Sequence, residues 1–150
     1  SSPITSTSNN GLQEIKVGDK SMNEFFKEVV AIDAEEDIVI ITGTPKQGAY
    51  NIVVVGTRAD NNDWSWKKVR LGGYQNEIIT SSFIVGGWYY VGVTDGGNGK
   101  WVGAVSLQVL KEAANNETIP PADTYSDVEK AFIYTAVGDV IYAIGGRETV

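Results

Sequence analysis

Two short stretches concentrate oxygen-bearing side chains: Asp60, Asn61, Asn62 and Asp63 in one, and Asp33, Glu35, Glu36 and Asp37 in the other. Asp95 and Asn98 form a sparser third. Calcium takes about six to eight such oxygens, from carboxylates, amides and backbone carbonyls. None of the stretches has the alternating ligands, glycine and distant glutamate of an EF-hand loop. Side chains adjacent in sequence diverge, so one loop cannot surround an ion and a second loop must contribute. Two readings stay open. A calcium site draws on Asp60, Asn62, Asp63, Asp33 and Glu36; otherwise the same residues make solvated polar turns.

Other chemistry is scarce. The chain has neither histidine nor cysteine, which removes imidazole and thiolate catalysis, disulfides and cysteine-based metal sites. The glycines before Lys100 fail as a phosphate loop, because Thr94 and Trp101 stand where glycine and a hydroxyl residue are required. No carboxylate spacing singles out a glycosidase pair, which only separation in space defines. An enzyme is not expected. Trp64 and Trp66 share one side of a polar stretch and offer flat faces on which a sugar can stack, so a carbohydrate-binding module is an alternative.

The elements that must position these groups are strands. Residues 83–110 hold two runs rich in Val, Tyr and Trp around a Gly/Asn/Asp turn at 94–100, and predict a central β-hairpin. The consecutive apolar residues at 38–42 and 50–57 predict buried strands. Residues 64–71 have no clean apolar face, which suits an edge strand, and 77–85 is a further strand. Residues 12–17 alternate as a short edge strand. Ser21 and Glu24 match a capping box, and Met22, Phe25, Phe26, Val29 and Val30 recur at helical spacing. A helix over 22–31 is therefore expected, with a strand carrying 29–32 as its competitor. Residues 111–127 are polar, contain Pro120-Pro121 and read as a long connection to a last strand pair at 128–136 and 140–144. Roughly nine strands at intervals of about 8–12 residues predict a single β-sandwich, of jelly-roll or other Greek-key type, with at most one short helix. Its expected core includes Val53, Val55, Val91, Val93, Val105, Leu107, Ile133 and Ile141.

A chain of 150 residues with 42% hydrophobic content suits one domain with one sizeable core. The net charge of −7 argues against nucleic acid as partner, and no apolar run reaches the length of a membrane span. The start SSPITSTSNN is small and polar, as a mature terminus left by signal removal is, which sets an expectation of a secreted protein. Residues 1–17 are expected to form an N-terminal extension, and 18–150 the sandwich. The polar start leading into LQEIKV, the absent Cys and His, and the acidic loops AEED and DNND together resemble the archaeal cannula and thread-forming proteins. That resemblance implies an extracellular β-sandwich subunit that polymerises with itself by strand exchange and binds calcium. Apart from the resemblance, the uncharged start is expected to add to a neighbour's open sheet edge as a donor strand, with Ile4, Leu12, Ile15 and Val17 filling apolar slots there. The Asn-Gly steps at Asn10 and Asn98 depart from a thermophilic pattern, since thermophile chains limit asparagine.

Overall fold

Unbroken runs of β-branched residues pack best on a pleated surface covered on both faces. In the computed structural model of this chain, IVII at 38–41 and IVVV at 52–55 form the two inner strands of a four-stranded sheet. The structure describes residues 5–8, 11–46, 51–60, 63–71, 78–94, 100–116, 123–125, 133–137 and 140–144. In order the strands are β1 (Thr5–Ser8), β2 (Gly11–Glu14), β3 (Lys16–Val17) and β4 (Lys20–Ser21), then a 3₁₀ turn (Met22–Glu24). There follow β5 (Phe26–Glu35), β6 (Ile38–Pro45), β7 (Ile52–Arg58), β8 (Trp64–Arg70), β9 (Ile78–Val85), β10 (Trp88–Thr94) and β11 (Lys100–Ser106). The helix α1 (Leu107–Asn116) and the strands β12 (Asp123–Tyr125), β13 (Ile133–Val137) and β14 (Val140–Ile144) complete the chain.

Two four-stranded antiparallel sheets, ordered β5-β6-β7-β8 and β12-β11-β10-β9, make a sandwich-like all-β fold. Two-residue turns link β5 to β6 and β9 to β10; the second, Gly86-Gly87, has φ of 58° and 78°. Positive φ at both central residues matches the right-handed twist of the flanking strands. Within each sheet the described strands follow one another as neighbours, so the connections seen are those of a meander; the sequence had suggested a jelly-roll or other Greek key. Three two-stranded ribbons, β1-β2, β3-β4 and β13-β14, accompany them.

The inner faces meet in a core of Ile38, Ile40, Val53, Val55 and Val69 from the first sheet and Ile79, Tyr89, Val91, Val93 and Val105 from the second. Leu107, Leu110, Ala113 and Ala114 of α1 close one side of it, beside β7 and β8. Six of the eight expected core residues are buried; Ile133 and Ile141 fall in β13 and β14, whose side chains lie outside the described residues. The first sheet is also covered behind, where Ile15, Met22 and Phe26 pack on Ile41 and Val54. That double coverage is why its inner strands read as continuous apolar runs.

Two expectations are corrected. The helix over 22–31 stops after one 3₁₀ turn, although the Ser21 amide does donate to Glu24 Oε2 at 3.1 Å. From Phe26 onward the chain pairs with β6 instead, because Val29, Val30 and Ile32 favour extended backbone and the β6 ladder takes up its backbone groups from Ala31 through Glu35 without interruption. The helix that does form, α1, occupies residues read as a strand end and a polar connection. Ser106 caps it, its Oγ accepting from the Val109 amide at 3.1 Å, and Gln108 donates to Glu112 one turn on at 3.0 Å.

Candidate assembly surface

The first sheet ends on both sides in a strand that pairs with no further strand among the described residues: β5 at one side and β8 at the other. Strand β5 is long, and its first half is irregular. Its register with β6 shifts between Phe26 and Glu28 and again between Val29 and Ala31, which makes Val30 an extra residue on a bulge. Gly43 of β6 allows this course, since a Cβ there would stand 2.7 Å from the Phe26 ring. Beyond the second shift the pairing is uninterrupted, Ala31 with Thr42 through Glu35 with Ile38. On β8, Val69 points into the core, while Trp66 lies across Gly56 of β7 and Lys68 leans over the Phe25 ring at 5.6 Å. The edge placement expected for this polar strand is therefore observed. The exposed large hydrophobic residues among those described are Val30 at 40%, Ile32 at 53% and Trp64 at 36%. All three belong to these two edge strands.

Strand β5 also runs beside β9 of the second sheet without sharing a ladder with it. Two polar side-chain pairs link the sheets here, one across this seam and one between β6 and β10. Ser82 of β9 donates to Asp33 Oδ2 at 2.5 Å, and the hydroxyls of Tyr89 and Thr42, both fully buried, are hydrogen-bonded to each other. Ser82 also bonds the Tyr89 hydroxyl. Burial raises the Asp33 carboxyl above the ordinary 3.8, with Ser82 partly opposing. Burial likewise raises the Tyr89 phenol, against the opposing bonds from Ser82 and Thr42. The Ser82–Asp33 and Thr42–Tyr89 bonds tie β5 to β9 and β6 to β10, strands of different sheets that share no backbone ladder.

The acidic residues proposed for calcium are not gathered at one point. Asp33 is at the seam, Glu36 is exposed in the β5–β6 turn with φ of 27°, and Asp60 and Asp63 are exposed in the β7–β8 loop; Asn62 lies outside the described residues. The two loops do adjoin, since the Arg58 amide donates to the Asp37 carbonyl at 3.2 Å. Asp37 is already occupied by Lys111 of α1 at 3.0 Å, which holds its carboxyl below the usual range. Among the described residues no three acidic groups converge as metal ligands. Trp64 and Trp66 stack at 5.8 Å with 23° between their planes, and the Arg58 guanidinium stands 5.9 Å from the Trp64 centroid.

Of the four residues expected to reach a neighbour, Ile15 is buried in this chain's own back cluster and Val17 packs against it. Strand β2, which carries Leu12, pairs with β1 of the same chain; the Leu12 side chain and Ile4 lie outside the described residues. The residues that expose apolar surface at the edges, Val30 and Ile32, went unnoticed in the sequence because helical spacing from Met22 to Val30 masked the strand alternation. No family model, curated protein or solved structure matches the chain.

Proposed function

We propose that this protein is a structural subunit that assembles with copies of itself through open sheet edges. What supports the reading is the exposure of Val30 and Ile32 on β5, an edge strand of ten residues. Unpaired edge amides and carbonyls beside exposed apolar side chains are a template for another strand, and natural monomers usually blunt them. Here only the first half of the strand is bulged. The glycan-binding alternative has weaker support: Trp66 is committed to Gly56 on one side and stacks on Trp64, leaving little flat surface to offer a sugar. The test is sedimentation velocity of the full chain over a wide concentration range, with negative-stain microscopy, in calcium and in chelator. Growth of extended particles with concentration is expected. A monodisperse monomer at high concentration in both conditions would refute the reading.

A further inference from the structure

The two edges of the first sheet differ in charge. Strand β5 and the turn after it carry Glu28, Asp33, Glu35, Glu36 and Asp37 against Lys27 alone. Strand β8 carries Lys67, Lys68 and Arg70 and no acid. Glu35 and Lys67 are exposed, and each edge also exposes an apolar residue, Ile32 on β5 and Trp64 on β8. A surface whose two ends are complementary to each other, and each unlike itself, joins head to tail and not about a two-fold axis. We infer that β8 of one copy docks antiparallel on the Ala31–Glu35 half of β5 in the next, so that the first sheets of successive copies become one continuous sheet. This rests on the self-assembly reading and specifies its interface.

The strand directions allow it. Each neighbouring pair in the β5-β6-β7-β8 sheet is antiparallel, so β5 and β8 run opposite ways. A second copy shifted sideways within the sheet then sets its β5 antiparallel to the first copy's β8, with the core faces on the same side. The register can be followed across the sheet. Asp33 pairs with Ile40, Ile40 with Val55 and Val55 with Lys67; Ala34 pairs with Val39, Val39 with Gly56 and Gly56 with Trp66. Without stagger, Lys67 of one copy falls opposite Asp33 of the next and diagonal to Glu35. On the other face Trp66 falls opposite Ala34 and diagonal to Ile32. Opposite and diagonal positions on one face are within reach of long and aromatic side chains.

Charge exchange tests this in the full chain. Glu35→Lys and Lys67→Glu alter exposed groups, and each alone puts like charges at positions 35 and 67 and weakens the charge contrast between the edges. Each should raise the concentration needed for polymer by about tenfold or more, since like charges then meet. In an equimolar mixture, alternating copies restore an opposite-sign 35/67 pair at every junction, and polymer should recover relative to either variant alone but stay below the parent, because the glutamate of Lys67→Glu then faces Asp33 at half of the junctions. Ile32→Lys should weaken assembly and gain nothing from either partner. Circular dichroism checks that each variant is folded. If the parent polymerises but the variants behave as it does, or if the mixture fails to recover, the β5–β8 junction is wrong while self-assembly stands. A parent that stays monomeric overturns both.

Discussion

Thr42 and Tyr89 are a fully buried polar pair between the two sheets, beside the half-buried Ser82 and Asp33. Tyr89→Phe strands the Thr42 hydroxyl, whereas in Thr42→Val the Tyr89 hydroxyl keeps its bond to Ser82, and the double variant removes the shared bond once. Thr42→Val and Tyr89→Phe should each cost about 1–3 kcal/mol in urea denaturation, and the double variant less than the sum of the two. Asp33 and Asp37 make a second, signed pair. The Asp33 carboxyl titrates above 3.8 in the native state, because of burial. Between its unfolded and folded values the native state binds more protons, so this group's contribution declines as pH rises through the window above 3.8. Asp37 is lowered, by its bond from Lys111 first, so its contribution is present above 3.8 and is lost as pH falls through the lower folded value. Relative to the parent, Asp33→Asn should gain stability as pH rises above 3.8, and Asp37→Asn should lose stability over the rise to that value. Denaturation midpoints across the acid range check both, and curves of the same sign would contradict the assignment.

At the scale of elements, the N-terminal segment divides into two parts with different duties. Strand β1 pairs with β2 of its own chain, while Ile15 and Val17 belong to the cluster behind the first sheet. Deleting residues 1–8 should leave both fold and assembly intact if the junction is β5 with β8, whereas a donor-strand junction would be lost. Deleting 1–17 also removes buried Ile15, worth about 1.5–3 kcal/mol of burial, and should lower the melting temperature. The two deletions, compared by melting and by sedimentation, separate a structural role of this segment from a bridging one. A deletion of 1–8 that abolishes polymer would restore the strand-exchange arrangement.

For the whole molecule, a continuous sheet imposes a geometry on any filament. Strands lie about 4.7–4.9 Å apart, so a subunit contributing the four strands β5 to β8 advances the sheet by roughly 19–20 Å. Strand-to-strand twist of about 20–25° then rotates successive subunits by roughly 80–100°. Image reconstruction of filaments should return a rise and rotation near these values. A rise much larger, near the full width of the domain, would mean that the sheets do not join.

Residue types and local patterning were enough to determine the all-β class, the buried runs at 38–41 and 52–55, and the edge character of residues 64–70. Each is set by side chains that must face a core or water whatever the connections are. Tertiary structure alone decided three things. Residues 26–35 carry a helical period and a strand period together, and pairing with β6 chose between them. Residues 105–109 alternate as a strand does, yet Ser106 capping and the burial of Leu107, Leu110, Ala113 and Ala114 beside β7 and β8 made residues 107–116 helical. Asp33 and Ser82 are 49 residues apart in sequence and Thr42 and Tyr89 are 47 apart, so nothing local brings them together. That β5 forms the other edge of this sheet is likewise set by strand order, which depends on long-range pairing and not on the residues of β5 alone.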